Sequence, residues 1–323
     1  MNKFEFAVAD SIQTALEELN EHPAAAKVHA GGVDLVGELK HYTAQPDIVV
    51  DISEIPDLKW IADDAEGTTI GASVKLIDVI RHEAVSKKHA ALQEAASVVG
   101  SPQIRNMGTI GGNLCQRPRC WYYRDEAYHC LKKGGDECFS VAGRNRNHCI
   151  LGGGPCYIVH PSDCAPALIA LNASVALQSV KGKRELPLED FFILPESDAT
   201  RENVLQPGEI LTYIHIPAHA GKSAYIKFRE KEGFDWALSA CAAALEFSGK
   251  TCRSARVVLG GVAPIPWRVR SVESYLQGKE ITEETARRAG EMAVEDAMPL
   301  AENANKVLLT KAIVKQALLK LNA

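Results

Sequence analysis

Cysteine is the residue type whose placement in this chain most plainly implies chemistry. Six of the nine cysteines fall in one stretch, as Cys115, Cys120, Cys130, Cys138, Cys149 and Cys156. Thiolates are soft ligands suited to iron–sulfur clusters, Cu(I) or zinc. Cys120, Cys130, Cys138 and Cys156 are separated by nine, seven and seventeen residues. That is neither the CxxC…CxxC spacing of structural zinc nor the compact run of bacterial ferredoxins. The sequence between them is polar and glycine-rich, as in Lys132-Lys133-Gly134-Gly135 and Gly152-Gly153-Gly154. Such a loop packs no core of its own, and a metal centre would order it. Spacing leaves the type of centre open. Cys115 and Cys149 read as spare thiols, and Cys164, Cys241 and Cys252 as core residues in apolar surroundings.

Two glycine pairs carry a second kind of chemistry. They are Ala30-Gly31-Gly32-Val33-Asp34-Leu35 and Thr109-Ile110-Gly111-Gly112-Asn113. Glycine admits positive φ and lets a ligand approach the backbone, and successive N–H groups then form a concave site for a pyrophosphate. Thr109 and Asn113 add side-chain donors beside those amides. Neither pair is a GxGxxG fingerprint, so a nicotinamide-type Rossmann domain has no support. An ordinary tight turn remains the competing reading of either pair.

The elements that must position these groups follow from hydrophobic patterning. The first sixty residues read as short α/β units, with strands at 4–8, 27–30 and 47–52 and a helix capped by Ser11. Strands at 58–62 and 68–72 precede helices at 76–85 and 89–99. Beyond the cysteines, a core-facing helix is expected at 165–171, then strands at 174–179, 184–188 and 210–216. Residues 217–222, small and turn-forming, mark a domain boundary. Strands at 224–229, 237–247 and 255–261 and helices at 272–276, 283–297 and 305–321 complete an α+β chain.

Composition removes several classes of function. At 323 residues the chain exceeds the ~250–300 at which single cores stop growing, so two domains are expected. A net charge of -5 argues against a nucleic-acid protein. The longest apolar-leaning run, 164–180, is broken by Pro166, Asn172 and Ser174 and is too interrupted for a membrane span. The N-terminus carries no signal-peptide pattern, so a reducing cytoplasm is expected unless a signal-bearing partner exports the chain with it. There an odd number of cysteines, most in one segment, fits metal binding better than a disulfide framework. HExxH, GxSxG and P-loop motifs are all missing, which leaves hydrolase and NTPase readings unsupported.

Three motifs in order, Ala30-Gly31-Gly32, Thr109-Ile110-Gly111-Gly112-Asn113 and His160-Pro161-Ser162-Asp163-Cys164-Ala165-Pro166-Ala167-Leu168, resemble the FAD-binding medium subunit of molybdenum hydroxylases. This is the xanthine dehydrogenase and carbon monoxide dehydrogenase flavoprotein family. The resemblance spans essentially the whole chain, including Leu259-Gly260-Gly261-Val262-Ala263. It implies a two-lobed PCMH-type FAD-binding domain at 1–217, with a small lobe about 1–57 and a larger lobe about 58–217. A CO dehydrogenase flavoprotein-type C-terminal domain, a three-stranded sheet with helices, would occupy 222–323. The cysteine insertion, about 115–156, is similar to that of the subgroup of the 4-hydroxybenzoyl-CoA reductase β subunit and bacterial aldehyde oxidoreductase FAD subunit, which carries an extra 4Fe–4S cluster.

Position by position, the resemblance implies FAD contacts at Ala30, Gly31, Gly32, Val33, Asp34 and Leu35 and at Thr109, Ile110, Gly111, Gly112 and Asn113. It places Asp163 at the ribityl–ribose side, Lys227 near the flavin and Trp236 on a loop approaching the isoalloxazine ring. Cys120, Cys130, Cys138 and Cys156 match the cluster ligands. The implied function is electron relay in a heterotrimer with a large molybdenum-cofactor subunit and a small subunit bearing 2Fe–2S clusters, to or from an external acceptor or donor. Two rivals stand beside it: a non-redox assembly protein with structural zinc, and a free-standing flavin oxidoreductase resembling vanillyl-alcohol oxidase.

Overall fold

The structure, a computed structural model, describes residues 1–322. Three sheets organise it. The first is small and all parallel, with β1 (Glu5–Val8), β2 (Ala26–His29) and β3 (Ile48–Asp51) in the order β1-β3-β2. The helix Ile12–Glu21 crosses between β1 and β2, capped by Ser11 Oγ, which accepts from Thr14 N–H. It turns Ala15, Leu16 and Leu19 onto Ile48 and Val50.

The second sheet holds β4 (Ile61–Asp63), β5 (Gly67–Gly71), β6 (Ser174–Ser179), β7 (Gly182–Pro187) and β8 (Ile210–Pro217), ordered β4-β5-β8-β6-β7 and antiparallel throughout. More than a hundred residues, including the whole cysteine stretch, pass between β5 and β6. The third sheet comprises β9 (Lys222–Phe228), β10 (Ser239–Ser248), β11 (Thr251–Gly260) and β12 (Trp267–Arg268), ordered β12-β11-β10-β9. The helices Arg270–Leu276, Glu283–Met292 and Asn305–Asn322 share a core with it.

Some elements differ from the sequence expectation for identifiable reasons. The single helix expected at 76–85 is two, Leu76–Arg81 and Glu83–Lys88, parted by an extended His82. An unbroken helix would carry Glu83 round to the face of Leu76 and Val79 and turn Val85 away. The break instead buries Val85 fully. The third sheet gains a fourth strand, β12, whose two residues are too few for any periodic signal. Leu58 closes a 3-10 turn, Pro56–Leu58, and the strand expected at 58–62 begins only at Ile61.

The helix Cys164–Ala170 joins the parts. All seven of its residues are buried. They share one core with the helix Ala90–Ser97, with strands of the second sheet, and with Ala240, Ala242 and Val258 of the third. The cysteine stretch lies outside that core, with only a short helix, Trp121–Arg124, and a 3-10 turn, Leu131–Lys133. Its far end is strapped to the turn that follows β11, where Ile150 and Leu151 N–H donate to the Val262 carbonyl and His160 N–H to that of Ala263.

Candidate cofactor site

A cleft of about 670 Å³ opens between the small parallel sheet and the larger lobe, within the size range of cofactor pockets. The two glycine pairs both line it and meet where Gly31 abuts Met107 and Gly108. Residues 30–35 form one wall, and Thr109, Gly111, Gly112 and Asn113 the other. Gly31 is required by close approach, since a Cβ there would sit 2.1 Å from the Met107 carbonyl oxygen. Gly32 has φ +67°, which side chains seldom tolerate. The first pair is thus pressed against the segment that launches the second.

The second pair is not a free turn. Gly111 and Gly112 lie in the short helix Ile110–Leu114, capped by Thr109, whose Oγ1 accepts from Gly112 N–H at 3.1 Å. Thr109 Oγ1 is therefore an acceptor in the cap. A Cβ on Gly111 would meet Ala72, while one on Gly112 would meet only Thr109 Oγ1 at 3.0 Å. Asn113, which lines the cleft, accepts at Oδ1 from Ser162 Oγ at 2.6 Å. The N–H groups expected to face an anion are spent within the chain, Gly111 on the Ala72 carbonyl, Gly112 on Thr109 Oγ1 and Asn113 on the Thr109 carbonyl. This wall therefore fits a phosphate-bearing ligand by the close approach that Gly112 allows and not by free amides.

Other residues expected here lie elsewhere. Ile110 is fully buried and does not line the cleft. Asp163 and Lys227 form an ion pair of 2.7 Å away from that wall, and Tyr225 O–H donates to the same carboxylate at 2.6 Å. Asp163 instead lines a second cavity of about 230 Å³. Asp34 reaches the cleft wall, but its carboxylate is taken up by the cysteine stretch. It accepts from Arg119 (2.5 Å), Arg124 (2.8 Å) and Arg117 N–H (2.6 Å). Trp236 borders both cavities beneath the Arg119 guanidinium, 4.5 Å from its ring centre.

Sequence reasoning missed these arginines, although Arg117, Arg119 and Arg124 are closely spaced in an acidic chain. It also missed Tyr225, which alternation along β9 places on the same face as Lys227. Further ties hold the cysteine stretch to the cleft. Tyr123 O–H donates to Glu38 at 2.6 Å, and the buried Glu202 pairs with Lys132 and Arg117. Burial, in company with these carboxylates, pushes the Tyr123 phenol well above its ordinary range.

The thiols divide by position. Cys115 lines the main cleft apart from the rest, and burial pushes its thiol up to about 12. Cys138 shares a hydrogen bond with Cys156 and is held down to about 5, with Ser140 Oγ also 3.0 Å from its sulfur. Burial pushes Cys120 up to about 11, and it lies within electrostatic reach of Cys130 and Cys138. Cys149 is buried and pushed up to about 12 by burial. Among the described residues, no three His, Cys, Asp or Glu side chains converge as ligands of a single ion must. Cys138 and Cys156 are hydrogen-bonded and Cys120 lies in reach of Cys130 and Cys138, so the side chains nearest one another here are thiols, soft donors of the kind an iron–sulfur group takes.

Residues 2–219 match the family described as FAD binding domain in molybdopterin dehydrogenase, and residues 223–321 match the CO dehydrogenase flavoprotein C-terminal domain. The chain therefore belongs to the FAD-binding subunits of the molybdenum hydroxylase family. It is 35% identical over 303 residues to the aldehyde oxidoreductase FAD-binding subunit of Escherichia coli K12, covering 92% of each chain. It is 30% identical to the carbon monoxide dehydrogenase medium chain of Hydrogenophaga pseudoflava, covering 98% of this chain and 96% of that one. The solved carbon monoxide dehydrogenase from that organism, which lacks the Mo-pyranopterin moiety of its cofactor, superposes with a TM-score of 0.79 at 28% identity, over 99% of this chain and 97% of the other.

Proposed function

We propose that this chain is the FAD and iron–sulfur electron-transfer subunit of a heterotrimeric molybdenum-containing hydroxylase or dehydrogenase. It would relay electrons between a small 2Fe–2S subunit and an external acceptor or donor, while a large subunit carries the molybdenum cofactor. We read it as two domains, 1–217 and 222–323, working in the cytoplasm. The observation that carries the reading is the joining of a glycine-walled cleft to the cysteine stretch through the cleft carboxylates Asp34, Glu38 and Glu202.

FAD supplies one- and two-electron redox chemistry when bound. The chain's own residues do the holding. Residues 31–35 and the turn Thr109 to Asn113 would hold the pyrophosphate and ribityl region, the latter by close backbone approach because its Gly111, Gly112 and Asn113 amides already donate within the chain, and Trp236 would pack toward the ring. Asp163 and Lys227 act from behind the wall, fixing the helix Cys164–Ala170 against β9. Cys120, Cys130, Cys138 and Cys156 would hold a 4Fe–4S cluster through their thiolates.

Cofactor analysis of the purified, iron-reconstituted chain tests the proposal. The expected result is one FAD and about four irons per chain, with a flavin spectrum over broad cluster absorption. Zinc without flavin would overturn it. Turnover of a small substrate by the isolated chain would point to a free-standing oxidoreductase instead.

A further inference from the structure

We infer that His148 donates a hydrogen bond from Nε2–H to the Cys120 sulfur and so raises the reduction potential of the centre that Cys120 holds. The inference rests on the cluster reading above. His148 Nε2 lies 3.3 Å from Cys120 Sγ. The imidazole is buried, and its other nitrogen, Nδ1, has no hydrogen-bond partner. A neutral imidazole carries one proton. Placed on Nδ1, that proton would be a buried donor with nothing to bond. Placed on Nε2, it meets the sulfur. Once Cys120 is a ligated thiolate it has no S–H to offer, so the ring must be the donor.

The surroundings hold the ring in that position. The His148 carbonyl accepts from Asn303 Nδ2 at 3.1 Å and from Lys306 Nζ at 2.9 Å, and its own N–H donates to the Asn145 carbonyl at 2.9 Å. Lys306 is wholly buried on the C-terminal helix, and its ammonium also bonds the Gly261 carbonyl. Trp121 and Tyr122 flank the imidazole with ring centres 6.5 and 6.3 Å away. His148 and Cys120 both line the second cavity, and Trp236, which lines it too, also borders the main cleft. His148 thus acts on the side of the thiol loop that faces the flavin cleft.

Charge added on reduction spreads onto the cluster's sulfurs and thiolates. An N–H dipole aimed at one of them stabilises the reduced form more than the oxidised form. His148 is therefore a positioning residue for electron transfer and not a ligand.

The test uses the full-length chain reconstituted with iron and sulfide, as wild type, His148→Phe and His148→Gln. His148→Phe keeps a ring without the donor, and His148→Gln keeps a donor without the ring. Irons per chain are counted, and the reduced centre is followed by EPR through a redox titration. The expected result is unchanged iron in all three, a lower midpoint potential with shifted g values in His148→Phe, and recovery of most of the potential in His148→Gln. Should His148→Phe not fold, His148→Leu is the second donor-free variant. An unmoved potential in a fully loaded donor-free variant overturns the inference and leaves the cluster reading intact. A nitrogen coupling showing a direct iron–imidazole bond also overturns it. A wild-type chain that takes up no iron overturns the cluster reading itself.

Discussion

Asp163 and Lys227 make a 2.7 Å ion pair whose side chains are only 3% and 2% exposed. Asp163 precedes the buried helix Cys164–Ala170 and Lys227 sits on β9, so the pair rivets the flavin-binding part to the C-terminal sheet. Removing one partner strands the other charge out of water. Lys227→Met should cost about 3–5 kcal/mol of unfolding free energy. The double variant Asp163→Leu/Lys227→Met should cost clearly less than the sum of the two single variants. Urea denaturation of the four proteins measures this, and strict additivity would show that the charges are not coupled.

Gly31 should tolerate no side chain. Its Cβ would overlap the Met107 carbonyl, so Gly31→Ala must push one cleft wall from the other. Flavin affinity should fall at least tenfold, or about 1.4 kcal/mol. Gly112→Ala, which meets only a hydroxyl oxygen, should lose less. Fluorescence titration of the apoprotein with FAD ranks the two, and a reversed order would contradict this account of the wall.

Asp34 should link the two halves of the site. Asp34→Ala leaves Arg119, Arg124 and the Arg117 amide without their common acceptor. The expected cost is about 1.5–3 kcal/mol, that of losing hydrogen bonds to a charged group. The loss should concentrate in the cysteine stretch, which has little other structure. Limited proteolysis should then cut within residues 115–156 before anywhere else. Cleavage rates there equal to wild type would count against the link.

Acid should destabilise the fold through buried imidazoles. Burial pushes His89, bonded to Thr68 Oγ1 at 2.8 Å, down to about 4, and pushes His160 down to about 3. Both are neutral when folded and take up a proton on unfolding below their ordinary value of 6.5. Their contribution is complete above pH 6.5 and declines as pH falls toward 4, by up to about 1.4 kcal/mol per pH unit for each proton. Thermal melts between pH 7.5 and 4.5 should show it. His89→Gln should flatten the slope, and an unchanged slope would remove His89 as a cause.

Local patterning made much of this chain legible. Strand and helix positions follow from periods of two and 3.6, which are properties of neighbouring residues. The glycine pairs and the thiol-rich loop are legible as chemistry because backbone access and soft ligands belong to residue types wherever they sit. Tertiary structure decided which groups meet. Asp34 and Arg124 are 90 residues apart, Asp163 and Lys227 are 64 apart, and His148 and Cys120 are 28 apart. No periodic pattern reaches over such gaps. The resemblance implied Asp163 and Lys227 beside the flavin, and the folded chain pairs the two charges with each other at 2.7 Å. A buried charge must find its opposite within a few ångströms, and which opposite lies there is known only once the core has closed.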